Sequence, residues 1–342
     1  MAKSQSAPTL EDVAKAAGVS TATVSRCLND PNRVIEATRK RVMAAVDQLG
    51  YTPNFAARAM AAKRSLTIGA VIPTMNNAIF ARALQAFQDQ LAQAGYMLLV
   101  GSSAYDPVAE REQIRNLVAR GVDGILLVGF EREPETYDYL KRHGVPTVAA
   151  WTYSEDGPVP SVGFDNHLAM QSLTEAVLSY GHQRIGFIAG KTEGNDRAKG
   201  RVDGVIAALA AAGIPRDQLI LREADYDISA GAIHFREMMD APHPPTVILC
   251  GNDVIAAGAM RQASRMGLSV PGDVSITGFD DMELAQIITP ALTTVYVPHD
   301  EMGQRAARTL LQQIEGAEDV ASVKLATKIV FRASLAKPTS VP

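Results

Sequence analysis

Apolar and polar positions fall into two textures along the chain. Over the first fifty residues they recur at helical spacing. Thr9-Leu10-Glu11-Asp12 opens a helix, with Thr9 at the N-cap, an acid at the third helical position, and Val13, Ala16 and Ala17 on one face. Gly18 ends it. Ser20 caps a second helix in which Val24 and Leu28 face inward while Thr21, Ala22, Ser25 and Arg26 face out. Asn29-Asp30-Pro31 is a turn, and a third helix over Glu36–Leu49 buries Val42, Val46 and Leu49. Three short helices in so few residues form a minimal helical domain. Gly50-Tyr51-Thr52-Pro53 breaks the chain, and "NFAARAMAAK" (Asn54–Lys63) then has good helix propensity but too few apolar residues to be stable alone, as befits a linker that is coil or helix.

From Leu66 the texture changes to short apolar runs alternating with helical stretches. "LTIGAVIP", "YMLLVGSS", "DGILLVG" and "VPTVAAW" read as strands, and after "PSVGFDN" the pattern restarts with "RIGFIAG", "LILREAD", "TVILCGN" and "VSITGFD". Fully apolar strands with helical crossovers predict parallel sheets covered on both faces. Two such runs predict two doubly wound lobes, with ligands at the carboxyl ends of the strands. "LTTVYVP" and a helix over 301–314 look like a return crossing, which places a cleft between the lobes.

The net charge of −4 argues against a nucleic-acid partner until its distribution is read. Residues 1–64 carry ten Lys/Arg against five Asp/Glu, so the head is basic and the remainder acidic. The cysteines, Cys27 and Cys250, lie far apart in apolar contexts and read as buried thiols in a reducing compartment. No apolar run follows "MAKSQSAPTL", and "VIAALAAAGI" is too short to span a bilayer. A cytoplasmic protein is expected, with no membrane partner.

A helix pair of this kind can place its second helix in the major groove, where Arg26 reaches guanine bidentately. The same pattern also fits a helical interaction domain with a solvated polar face. "TLEDVAKAAGVSTATVSRCLN" followed by "TRKRVMAAVDQLGYTPNFAARAM" resembles the DNA-binding head and hinge of the lactose/galactose-repressor family of bacterial transcription regulators. The similarity continues through "GHQRIGFIAG", "CGNDVIAAGAMRQASRMGLSVPGDVSITGFDD" and "PALTTVYVP", and "VGFDN" is similar to the gluconate-repressor branch.

The resemblance implies a role for particular residues. Thr21 and Ala22 match the positions that choose the operator, Arg26 and Asn29 match further recognition-helix positions, and Thr9, Ser20 and Ser25 match phosphate contacts. In the hinge, Asn54 and Ala57 belong to the DNA-binding set, and Met60 stands where a Leu usually wedges between base pairs. The body resembles periplasmic sugar-binding proteins. Arg201 matches an effector-binding arginine, Asn252 and Asp280 match polar positions that hold ligand hydroxyls, and Phe80 sits where an aromatic lines the cleft. Trp151 replaces a sugar-gripping Asp, and either stacks on a ligand or packs at its strand end. With Arg197 and Lys199 near Arg201, this points to a sugar acid or other small anion; both also fit a solvated helix face.

The division implied is 1–52 for an all-α helix-turn-helix head and 53–65 for the hinge. An α/β periplasmic-binding-protein-like core of two parallel-sheet lobes follows, 66–164 plus 296–326 and 165–295 plus 327–342. "GFIAGKT" is one residue short of a phosphate-binding loop, and the six histidines show no metal-ligand spacing. His182 and His299 have no visible nucleophile partner. No catalytic set, metal or cofactor is expected. The sequence therefore predicts an effector-controlled regulator, a repressor of a carbohydrate or sugar-acid operon, bound as a homodimer to a pseudo-palindromic operator. A small-molecule-binding module whose head contacts a protein is the alternative.

Overall fold

The computed structural model describes residues 7–52, 64–76 and 78–339. The chain divides into two compact units, Met1–Ser65 and Leu66–Pro342. The hinge positions Asn54, Ala57 and Met60 lie outside the described residues, as does the side chain of Asn29.

In the first unit, helices α1 (Leu10–Ala17), α2 (Thr21–Asn29) and α3 (Glu36–Leu49) enclose a small core. A reciprocal cap starts α1: Asp12 N–H donates to the Thr9 hydroxyl at 3.3 Å, and Thr9 N–H donates to the Asp12 carboxylate at 2.9 Å. Gly18 ends α1 in the left-handed region, φ 63°, which glycine adopts without strain. Thr23 N–H donates to the Ser20 hydroxyl at 3.2 Å, so Ser20 caps α2. Val13, Ala14, Ala17, Val24, Cys27, Val42 and Ala45 are buried together. Ala16, expected inward, is exposed. The apolar stripe of α1 runs through 10, 13, 14 and 17, so helical phase puts Ala14 in its place.

In the second unit, β1 (Thr67–Ile72), β2 (Met97–Ser102), β3 (Gly124–Val128), β4 (Thr147–Ala150), β5 (Ser161–Gly163) and β11 (Val323–Lys324) form one sheet. Its order is β11-β5-β4-β3-β1-β2, with every neighbour parallel. β6 (Ile185–Gly190), β7 (Ile220–Ala224), β8 (Val247–Cys250) and β9 (Ser275–Thr277) form a second parallel sheet, ordered β7-β6-β8-β9. Helices α4 (Ala78–Gln93), α5 (Pro107–Ala119) and α6 (Pro134–Arg142) connect the first sheet. α7 (Asn166–Ser179) leads into the second, which α8 (Asp196–Ala211), α9 (Ile228–Met239) and α10 (Asp253–Arg265) connect.

Both sheets are covered on both faces, and the residues alternate accordingly. In β3, Leu126 and Val128 join one core cluster while Ile125 and Leu127 join another. In β8, Val247 and Leu249 face one cluster, Ile248 and Cys250 the other. After a short helix, α11 (Glu283–Ile287), strand β10 (Thr294–Tyr296) pairs antiparallel with β12 (Lys328–Val330). Between them α12 (His299–Ile314) returns to pack on α4 and the first sheet. The chain thus passes between the lobes after β5, after β10 and after β11, and the carboxyl ends of both sheets border the cleft.

Candidate DNA-reading helix and effector cleft

The first site is the surface of α2. Val24 and Cys27 anchor the helix, which leaves Thr21, Ala22 and Arg26 exposed on its other side. Ser25 is half-buried. The exposed Thr9 and Ser20 hydroxyls both serve as caps, and Ser20 Oγ lies 2.9 Å from Thr23 Oγ1. The cap hydrogen bonds satisfy helix N-terminal donors, so the start of α2 is ordered by its own side chains. Arg26 presents a planar five-donor guanidinium from this scaffold, the geometry that matches a guanine edge or a phosphate.

The second site is the cleft. Five of the seven non-glycine residues with positive φ among those described sit just past strands β2, β4 and β9: Ala104, Tyr105, Trp151, Asp280 and Asp281. Backbone held in this region is costly and concentrates where function requires it. Trp151 is 2% exposed and meets Phe80 edge-on, with ring centroids 5.0 Å apart. Asn166 Nδ2 donates to the Trp151 carbonyl at 3.0 Å, and Arg201 Nε donates to Asn166 Oδ1 at 2.9 Å. Arg201 also donates to the Gly251 carbonyl, and its guanidinium lies 3.8 Å over the Phe279 ring. One buried chain of contacts therefore runs from the first lobe through α7 to α8.

Beside it stand polar groups that no protein atom satisfies. Trp151 Nε1, Asn252 Nδ2, both Asp280 carboxylate oxygens and both His299 ring nitrogens are buried without a hydrogen-bond partner. Arg201 Nη2 lies 3.8 Å from Asp280 Oδ1, and His299 Nε2 lies 4.0 Å from the same oxygen. Buried polar groups are nearly always paired, so such a cluster marks a place where a ligand supplies the partners. Asn252 Oδ1 caps α10, accepting from Ile255 N–H at 2.9 Å, and its Nδ2 is the atom left without a partner. Burial, with the Asp280 carboxylate nearby, pushes Asp253 up to about 8. Thr294 Oγ1 and Met282 N–H both donate to Asp253. Burial lowers His299, so its ring is neutral near pH 7.

The structure brings Phe80, Trp151, Arg201, Asn252 and Asp280 together and separates Lys199 from them. Lys199 is exposed, two residues from both Arg197 and Arg201 and therefore on the opposite side of α8. Arg197 is engaged, with its guanidinium 2.7 Å from Asp196 and donating to the Val128 carbonyl at 3.1 Å. His299, for which the sequence shows no nucleophile partner, is buried with both ring nitrogens unpartnered. Asn166, Tyr105 and Tyr226 were not singled out. The two tyrosines face each other across the lobes at 6.1 Å and border a recess of about 520 Å³. Only the quoted "VGFDN" carried a signal, for Asn166. A larger recess, of about 820 Å³, follows the exposed faces of α4 and α12 as far as His299 and residues 282–284 of the second lobe; the unpartnered buried groups make the cleft the candidate ligand site.

Two family models match the chain: bacterial regulatory proteins of the lacI family over residues 9–54, and periplasmic binding proteins and sugar binding domain of the LacI family over residues 65–334. The chain belongs to the LacI family. It is 36% identical over 314 residues to the transcriptional repressor CytR of Escherichia coli K12, covering 92% of each chain. Its fold is similar to a LacI-family transcriptional regulator from Silicibacter pomeroyi (TM-score 0.87, 28% identity, 96% of this chain and 99% of that one). It is also similar to the Lac repressor dimer bound to operator and an anti-inducer (TM-score 0.86, 29% identity, 97% and 100%). A LacI-family head and core make this a DNA-binding transcriptional regulator, and α2 lies within the matched head.

Proposed function

We propose that this LacI-family protein is a repressor that binds a pseudo-palindromic operator as a homodimer in the cytoplasm and is controlled by a small polyhydroxylated effector in the cleft. Phosphate attraction comes from the basic head, and base choice from Thr21, Ala22 and Arg26. Thr9, Ser20 and Ser25 are the phosphate-side positions, and Asn29, Asn54, Ala57 and Met60 complete the DNA set. Effector binding changes the angle between the lobes 66–164 plus 296–326 and 165–295 plus 327–342. That change alters the spacing of the two hinges at 53–65 and so the grip on DNA. It performs no chemistry on its ligand.

The observation that carries the effector reading is the unpartnered set Trp151, Asn252, Asp280 and His299 beside Arg201. Two nitrogen donors, a carboxylate and a neutral imidazole suit an array of hydroxyls. The anionic ligand is the weaker reading. Asp196 offsets the charge of Arg197, Asp280 lies against Arg201, and Lys199 is exposed, so none of these three cations is left in surplus toward the cleft. Thermal shift against neutral sugars, sugar acids and sugar phosphates separates the two. A ligand at a hundredfold excess over Kd adds about 2.7 kcal/mol of stability, a rise of several degrees. A shift with neutral sugars that vanishes in Arg201→Ala supports the reading; a shift confined to acids returns Arg197 to the site.

A further inference from the structure

The lobes also meet through contacts made wholly by chain atoms. Strand β3 of the first lobe ends at Val128, and the first two residues of α8 in the second lobe grip the backbone there. Phe130 N–H donates to Asp196 Oδ2 at 2.7 Å, and Arg197 Nη1 donates to the Val128 carbonyl at 3.1 Å. The carboxylate and guanidinium are paired with each other at 2.7 Å, which holds both in the orientation the backbone requires. Between the two gripped residues is Gly129, at φ +72°. A Cβ there would overlap the Arg197 guanidinium and the Asp196 carboxylate. Only glycine leaves room for both side chains in this arrangement and takes this φ without strain.

The receiving loop is itself braced. The Arg132 side chain is 4% exposed, and its guanidinium donates to the Val128 carbonyl at 3.1 Å and the Gly129 carbonyl at 2.8 Å. It also donates to Tyr137 Oη at 2.6 Å and pairs with Glu110 at 3.0 Å. Arg132 fixes the backbone from the first lobe, and Asp196 and Arg197 read it from the second. Charge-assisted hydrogen bonds to a braced backbone are the strong kind.

We propose that Asp196 and Arg197 form a latch that closes the second lobe on residues 128–130 of the first, with Gly129 as its keyhole. They are positioning residues. Arg201 lies one helical turn further along the same face of α8, so engaging the latch sets the guanidinium against Asn166 and Asp280. The latch gives closure a bias of its own, and an effector shifts that balance by its preference for one arrangement. Its regulatory meaning rests on the cleft being the effector site; its existence does not.

Amide hydrogen exchange of the intact protein, with neither DNA nor ligand added, tests it. In the wild type the Phe130 amide is protected. In Asp196→Ala and in Gly129→Ala, which keeps both latch side chains, it exchanges about tenfold faster or more, the factor expected for losing one charge-assisted hydrogen bond. Amides at the start of α8 speed up with it, while β1 and β6 in the lobe interiors keep their protection. Asp196→Asn, which retains an acceptor oxygen, recovers part of the protection at Phe130. An unprotected Phe130 amide in the wild type overturns the proposal, and so does acceleration confined to residues 128–133 with α8 unchanged. Should Gly129→Ala unfold a lobe, the Asp196 pair decides alone. Failure here leaves the regulator reading standing, and loss of operator binding leaves the latch standing.

Discussion

At the scale of single residues, the two sites are separable by substitution. Arg26 is exposed on α2 and makes no contact that the fold needs, so Arg26→Ala should remove about 1–3 kcal/mol of discrimination between operator and random DNA. The thermal response to effector should be unchanged; undiminished discrimination in a binding titration would count against the recognition role. Asp253 makes a different prediction, one about pH. Its folded value of about 8 lies above the ordinary 3.8, so the folded state holds the proton more tightly than the unfolded chain. The stability from this group is complete below about pH 4 and is lost as pH rises to about 8. Asp253→Asn should flatten the fall in Tm over that range relative to wild type, and parallel profiles would contradict it. Asn252 and Asp280 could be singled out because each stands in a quoted stretch, and Arg201 because the resemblance matches it to an effector-binding arginine. Asn166 stands in the quoted "VGFDN", whereas His299, Tyr105 and Tyr226 carried no such signal, since each gains its neighbours only when lobes distant in sequence meet. Lys199 misled because proximity in sequence is not proximity around a helix.

At the scale of elements, close packing sets the tolerances. α4 meets α12 at Gly303, where a Cβ would overlap the Ala83 carbonyl, and α7 meets α8 at Gly204, where it would overlap the His167 carbonyl. Gly303→Ala should cost about 1–3 kcal/mol, since the helices must part to admit the methyl group; an unchanged unfolding midpoint would show that the contact yields. Ser20→Ala should cost the head about 1 kcal/mol by removing the cap of α2, visible as an earlier melting of its helical signal. Most elements could be read directly, because apolar runs bounded by turns announce buried parallel strands and caps announce helix starts. Asn195 and Asn252 cap α8 and α10, each accepting a helix N-terminal N–H through its side chain. The short α11, β11 and β12 were missed because two to five residues cannot display a period.

At the scale of the whole molecule, charge distribution and lobe connection matter more than any single contact. A basic head on an acidic body predicts binding that weakens steeply with salt, by roughly 10³–10⁵ between 50 and 200 mM if six to ten phosphates are engaged. A salt-insensitive partner would instead favour a protein contact by the head. The multiple passes between lobes join the cleft to both sheets, so the proposed effector, bridging Arg201 and Trp151, would act on the whole core. The most direct measurement is selection of bound sequences from a random duplex library by the intact protein, run in parallel with Arg26→Ala and Arg201→Ala. The account predicts a two-fold symmetric motif enriched by the wild type and by Arg201→Ala, and lost or relaxed in Arg26→Ala. No enriched motif with the wild type, or the same motif enriched equally by Arg26→Ala, would contradict it.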